Sequence, residues 1–447
     1  MRCGRLSVPE NRLKPGQRQI ELNVVVVRAT TSPAQPDPLF FIVGGPGGDA
    51  TRTAPDFAQH FTPRNRDIVL VDQRGTKGSA FLYCQELDLP ADALMPRFHA
   101  PAVEVCRDRL EQKADLTQYS TLAAVEDLNA VRIWLGYDRI NLSGSSYGTR
   151  VVLEYLRRHG EHVRTAFLLG PVPPDFKRPL YYGRDGLRVL DRVFAACAQD
   201  AACARAFPNL KAKLEQVLGR LDREPAVVAM KHPSSKQATT LRLDRSTFAE
   251  ILLVHLQSAA DARRVPHIIT RAAAGDFAPV LENAFDEQGQ LTVRDLVEGM
   301  YLSVTCAEET MRIRPSDIGP QTPDFLGSTR LRRQMSACRS WPQSLLPDDF
   351  YEPVRSDVPT LIVTGELDPV TPASWAQSLM PHMSRARFIE IPEMGHGGNG
   401  TSNFASCLID HLHVALWETA DAAKVDTSCV ATMKPPPFYI PEVGGLR

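Results

Sequence analysis

The chain has 447 residues, of which 43% are hydrophobic and 23% charged, with 51 basic against 52 acidic side chains and a net charge of -1. That balance, with no long basic run, excludes a nucleic-acid or anionic-membrane surface as its main business. No apolar run approaches the roughly 20 residues of a membrane span, and the length exceeds one compact core, so a main domain with a large insertion is expected.

Strand and helix signals alternate through the first third. Residues 19–28 are β-rich, with four consecutive valines at 24–27. Prolines 33, 36 and 38 mark a loop, and the short apolar strand 39–43 runs into Gly44-Gly45-Pro46-Gly47-Gly48. A second apolar strand, 67–71, ends at Asp72-Gln73-Arg74-Gly75. Residues 121–135 place Leu122, Val125, Leu128, Val131 and Leu135 on one helical face, with Gly136 as a stop. Residues 139–142 predict a buried strand, 149–158 a helix ending near Gly160, and 165–169 another strand. This β-α-β-α order predicts an α/β fold, a mostly parallel sheet with helices on both faces.

The pattern changes at Pro171-Val172-Pro173-Pro174 and stays mainly helical to about Pro353, with amphipathic stretches at 188–196, 210–221, 246–258 and 291–304. We read 173–352 as an inserted helical cap, with 1–172 and 353–447 forming the catalytic domain. Strand signals return at 360–364 and 387–391, followed by a loop-rich tail around Pro435-Pro436-Pro437.

Between the strand at 139–142 and its helix stands Gly144-Ser145-Ser146-Tyr147-Gly148. The G-x-S-x-G form in a strand-to-helix setting predicts a nucleophile elbow with Ser146 at its tip. A serine hydroxyl needs a base, and the base an orienting carboxylate. After the 360–364 strand, Gly365-Glu366-Leu367-Asp368 offers Asp368, with Glu366 as the competing acid. After the 387–391 strand comes Gly395-His396-Gly397, a glycine-flanked loop that gives His396 room to turn toward Ser146. The chain order Ser, Asp, His fits this fold type. The expected oxyanion donors are the backbone N–H groups of Tyr147 and Gly45. A phosphate loop at residues 44–48 is disfavoured, because Pro46 lacks an N–H and no Walker Lys-Ser/Thr follows. Asp72-Gln73-Arg74-Gly75 is expected to brace the oxyanion loop.

None of the nine cysteines makes a C-x-x-C pair or a zinc spacing. Eight form sequence-neighbouring pairs, 84/106, 197/203, 306/338 and 407/429, which predicts local disulfides and an oxidising compartment. The protein is therefore expected to be secreted or periplasmic, with numbering that begins after a signal segment and leaves Cys3 over. The chemistry requires no metal and no organic cofactor.

Together these five motifs resemble the serine aminopeptidases of the α/β-hydrolase fold. The group includes the prolyl iminopeptidases and, more closely, the exported bacterial tripeptidyl-aminopeptidase-like enzymes, whose opening segment Val8-Pro9-Glu10-Asn11-Arg12 is similar to. The resemblance implies a peptide substrate with a free N-terminus, and acidic cap residues that hold its amino group. Glu308 and Glu309 are the candidates for that role. Prolyl iminopeptidases carry a His before the glycine cluster; Val43 stands there in this chain, which argues against strict proline specificity. An esterase using the same machinery is the alternative activity, and a catalytically dead binding protein the third.

Overall fold

A computed structural model describes residues 1–60, 65–87, 98–231, 236–282, 296–318, 327–398 and 400–441. Its strands are β1 (Arg2–Pro9), β2 (Gln19–Val27), β3 (Leu39–Ile42), β4 (Ile68–Val71), β5 (Ile140–Ser145), β6 (Val163–Leu169), β7 (Ala226–Lys231), β8 (Ala238–Leu243), β9 (Thr360–Gly365) and β10 (Ala386–Ile391). Eight of them form one sheet in the order β1-β2-β4-β3-β5-β6-β9-β10. β1, β2 and β4 pair antiparallel, and from β4 to β10 every pairing is parallel.

The four valines explain why β2 is buried on both sides. Val24 and Val26 enter one apolar cluster while Val25 and Val27 enter another on the opposite face, as strand alternation requires. On the first face lie the helices Thr121–Trp134, through Val125, Leu128 and Val131, and Tyr147–His159, through Val151, Val152 and Tyr155. The other face is covered by Ala54–Gln59, through Phe57, and by the helical segment Ala405–His413 running into Val414–Thr419, through Leu408, Leu412 and Trp417. Each fully buried side chain of this size contributes about 1.5–3 kcal/mol, so both layers are held by the sheet rather than by their own propensity.

Three elements depart from the sequence expectation. β1 was not anticipated, although it pairs with β2 along its whole length and turns Leu6 and Val8 to the core while Arg5 and Ser7 stay exposed. The segment 173–352 also contains the β7–β8 hairpin, whose Val227 is 69% exposed. Between β10 and the loop-rich tail around Pro435, which carries neither helix nor strand, stands an unanticipated helical stretch, Ala405–His413 and Val414–Thr419.

The segment 173–352 is also not uniform in its packing. Tyr182–Gln199, Leu210–Arg223, Arg245–His255 and Val265–Ala273 share an apolar cluster separate from the sheet. Glu298–Glu308 and Gly327–Ser340 instead join the main cluster through Met300, Leu302, Val304 and Ala337. Of the expected helical stretch 291–304, residues 291–295 lie outside the described ones.

The disulfides are Cys84–Cys106, Cys197–Cys203, Cys306–Cys338 and Cys407–Cys429, the four neighbouring pairs. Cys3 is exposed and free. Among the described residues no helix is long and apolar enough to cross a membrane.

Candidate active site

Parallel strands bring their C-terminal ends to one edge of the sheet, so the loops after β3, β4, β5, β6, β9 and β10 converge there. The chain passes from β3 out to β4 and back across to β5, which makes the β3/β5 boundary the point where strand order reverses and a crevice opens. Gly44 ends the β3 side of that crevice and Ser146 the β5 side.

Ser146 adopts φ 53°, ψ -124°, a conformation rare for an L residue. Its amide donates to the Leu169 carbonyl at 2.8 Å, which fixes the turn to β6. The flanking glycines are required sterically. A Cβ on Gly144 would stand 2.6 Å from the Gly148 carbonyl oxygen, and one on Gly44 would stand 2.8 Å from the Ser146 Cβ. The strained serine is thus held, half-buried, at the tip of a turn into which no other side chain fits, and it lines a cavity.

Asp368 lies just past β9 and is 1% exposed. One carboxylate oxygen accepts the N–H groups of Val370 and Thr371, both at 2.7 Å. The other accepts the Thr371 hydroxyl at 2.8 Å and faces His396 Nδ1 at 2.7 Å. Burial pushes this carboxyl up, but the His396 ring and those donors outweigh it and hold the group below its ordinary value. With Nδ1 turned to Asp368, Nε2 is the nitrogen left for the cavity, which His396 and Ser146 both line. Gly395 packs against the Gln257 carbonyl. The histidine is therefore held on two sides, not carried on the open loop its glycines suggested.

Glu366, the competing acid, is turned elsewhere. Its side chain pairs with Arg192 and accepts the Glu393 N–H at 3.1 Å.

Tyr147 opens the helix Tyr147–His159, so its N–H is among those without an intrahelical acceptor. Its fully buried side chain turns away from the cavity, with the hydroxyl 2.9 Å from the Thr121 hydroxyl. Gly45 lines the cavity at φ 123° and its carbonyl accepts Arg178 Nη1 at 2.7 Å. Behind this loop the Asp72 carboxylate accepts the Thr51 amide at 2.9 Å and the Thr51 hydroxyl at 2.8 Å, tying the β4 turn to the segment after the glycines. Arg74 makes no such brace. It forms two 2.7 Å bonds to Asp127 and donates to the Glu10 and Gln118 carbonyls at 2.8 Å, anchoring the N-terminal segment to a helix.

Glu308 and Glu309 are fully buried and do not line the cavity. Glu308 accepts the Thr121 amide and hydroxyl, both at 2.7 Å, and burial raises its carboxyl to about 7. Glu309 accepts the Arg178 amide and faces its Nε, both at 3.1 Å. Arg150 lies between the two, 3.5 Å from Glu308 and 3.3 Å from Glu309. Both carboxylates are thus occupied by the protein itself.

The cavity measures about 370 Å³ and its remaining wall includes Arg178, Tyr182, Glu250, Gln257, Leu296, Tyr301 and Arg330. Sequence reasoning named none of these, and three of them, Arg178, Glu250 and Arg330, are charged. Glu250 carried a usable signal, because it interrupts the apolar stretch Phe248, Ala249, Ile251, Leu252, Leu253, all buried. Arg178 and Arg330 stand among other basic residues and carried none.

A family model described as alpha/beta hydrolase fold matches residues 37–401, and the chain belongs to that family. Among curated proteins it is 24% identical to "Tripeptidyl aminopeptidase" of Streptomyces coelicolor, over 98% of this chain and 84% of that one. It is 27% identical to "Serine protease Hip1" of Mycobacterium tuberculosis, over 45% of this chain and 42% of that one. "Probable proline iminopeptidase" of Leptolyngbya boryana is also 27% identical, over 33% of this chain and 36% of its own.

Proposed function

We propose that this chain is a serine peptidase of the α/β-hydrolase family that releases residues from the free N-termini of peptides through an acyl-enzyme on Ser146. The observation that carries this reading is the 2.7 Å contact of His396 Nδ1 with the buried Asp368, on a ring that shares its cavity with the strained Ser146. The names of the relatives above, all peptidases, support the substrate class.

In this reading His396 Nε2 takes the Ser146 proton as the oxygen attacks the scissile carbonyl. Asp368 stabilises the imidazolium, and the amides of Gly45 and Tyr147 hold the oxyanion. His396 returns the proton to the leaving amine, and a water molecule, activated by the same ring, releases the acyl group. Glu250, in the cavity wall, is the acid we assign to the substrate's ammonium, in place of Glu308 and Glu309, whose carboxylates are filled by Thr121, Arg150 and Arg178. Residues 173–352 act as the cap that brings Glu250 over the sheet edge. The four disulfides support a site of action outside the cytosol.

The test compares an aminoacyl anilide with a free amine, its N-acetyl analogue and an aryl ester, on wild type and Ser146→Ala. Free-amine substrate should be cleaved at least a hundredfold faster than the blocked one, and Ser146→Ala should lose turnover while keeping its melting profile. Equal rates on free and blocked anilides would remove the exopeptidase reading. More than a few per cent of activity in Ser146→Ala would remove the nucleophile.

A further inference from the structure

The wall of the Ser146 cavity holds more ionic chemistry than hydrolysis requires. Arg178, Arg330 and Glu250 all line it, and each is more than nine-tenths buried, at 3%, 8% and 7% exposure. Arg178 is neutralised from behind by Glu309, whose Oε2 lies 3.1 Å from its Nε. The counterion of Arg330 is different, because it is Glu250, a cavity residue itself. Their closest approach is 3.6 Å, too long for a direct hydrogen bond. Arg330 Nε has no hydrogen-bond partner. The guanidinium lies 5.6 Å from the centre of the Tyr182 ring, which backs it.

At rest these four groups balance: two guanidiniums against two carboxylates. A substrate ammonium that takes Glu250 upsets the balance, because it removes the counterion of Arg330 and leaves a buried guanidinium unpaired, an unfavourable state. A ligand that brings its own carboxylate removes that penalty, and exchanges one loose ion pair for two direct, charge-assisted ones. The 3.6 Å separation places both recognising groups on one side of the site. The ligand's ammonium and carboxylate must therefore come from the same residue. A peptide's C-terminal carboxylate, which lies across the scissile bond from the ammonium, does not meet this condition.

We propose that Arg330 recognises the side-chain carboxylate of an acidic first residue, so that the cavity selects peptides beginning with Asp or Glu. The proposal rests on the reading of Ser146 as nucleophile and Glu250 as amine acceptor.

Two measurements test it separately from that reading. The first is titration calorimetry of Ser146→Ala protein with Glu-Ala amide, Gln-Ala amide and N-acetyl-Glu-Ala amide. The second is kcat/KM of the wild type on Glu, Gln and Ala anilides. Glu-Ala amide should bind at least tenfold more tightly than either comparison peptide, and the Glu anilide should exceed the Gln anilide by a similar factor. In Arg330→Met the Glu/Gln ratio should fall to about one, and Arg330→Lys should keep part of it. Because the readout is a ratio, a general loss of folding does not imitate it. Equal binding of the Glu and Gln peptides, no binding of any, or a ratio that survives Arg330→Met would overturn the proposal. Cleavage of the Ala anilide without a preference for Glu over Gln would overturn it and leave the peptidase reading standing. Selective binding of Glu-Ala amide by a protein that cleaves no anilide would do the reverse.

Discussion

Replacing Asp368 by Asn tests the catalytic reading at its most constrained point. One carboxylate oxygen accepts two backbone N–H groups at 2.7 Å. An Asn side chain must keep its carbonyl oxygen there, because an NH2 group facing two donors would leave them unsatisfied at about 1–3 kcal/mol each. That choice turns the NH2 toward His396 Nδ1, where the carboxylate oxygen now lies at 2.7 Å. The NH2 then donates to Nδ1, so the ring proton moves to Nε2, the nitrogen required to accept from Ser146. The wrong tautomer, together with loss of the charge that stabilises the imidazolium, lowers kcat by about 10⁴, or about 5.5 kcal/mol of barrier. KM should change little, since Asp368 does not line the cavity, and the melting temperature should hold within a few degrees because both backbone donors keep an acceptor. The assays are steady-state kinetics, the rate of fluorophosphonate labelling at Ser146, and a thermal melt by circular dichroism. Glu366→Gln is the control and should keep near-normal kcat. A natively folded Asp368→Asn protein with kcat within tenfold of wild type would refute the assignment, as would a Glu366→Gln variant that fails in its place.

Arg178 holds the Gly45 carbonyl at 2.7 Å and is itself held by Glu309, so in the proposed mechanism it positions the Gly45 loop. Arg178→Met should lower kcat about 10- to 100-fold with a smaller effect on KM, less than the roughly 100- to 1000-fold of losing an oxyanion donor outright, and Arg178→Lys should recover part of it. An unchanged kcat in Arg178→Met would show that the loop holds its own shape. His413, which does not line the cavity, stacks on Phe167 and bonds the Ser143 hydroxyl and the Leu408 carbonyl at 2.9 and 2.7 Å. Burial pushes its imidazole down from 6.5 to about 4. A depressed folded value means that the neutral ring's contribution is complete above pH 6.5 and is lost as pH falls through about 4. Linkage gives this term a size of about 3 kcal/mol. Melting temperatures measured from pH 8 to 4 should fall more steeply for wild type than for His413→Phe, although the variant starts lower because Ser143 and Leu408 lose a partner. Parallel slopes would mean that His413 does not drive the acid loss.

The sequence disclosed the elements whose residues report their own surroundings. The elbow is local: a strand, two glycines that leave space, and a helix all fall within twenty residues. The doubly buried valines of β2 and the apolar β9 and β10 announce a parallel sheet by composition, and the cysteines paired with their neighbours along the chain. β1 and the β7–β8 hairpin escaped because their alternation is short, carried only by Leu6 and Val8 in β1, Val228 in β7, and Leu241 and Leu243 in β8. The helices after β10 were obscured because Ala405–His413 winds more widely than an α-helix, which blurs the 3.6-residue period.

The recognition chemistry was hidden for another reason, which bears on how far such sites can be read from any single chain. A buried ion has no meaning in isolation; its role depends on which counterion it has and on whether that counterion is free to be exchanged. Glu308 and Glu309 were the candidates for amine acceptors because the family resemblance implies acidic cap residues in that role. Both carboxylates are met internally, by Thr121, Arg150 and Arg178, residues between 130 and 190 positions away. Among the described residues the ion-pair partner of Glu250 is Arg330, at 3.6 Å and beside it in the cavity wall. The difference between a structural carboxylate and an available one is therefore set by whether a contact made across distant segments faces the cavity. A buried pair with no face on the cavity gives a ligand nothing to reach, whereas a loose pair in the cavity wall gains two contacts when a zwitterion enters. In the proposed reading the pairing of Glu250 with Arg330 ties the choice of substrate to a single arginine, and exchanging that arginine should alter which peptide is preferred before it alters whether peptides are cut at all.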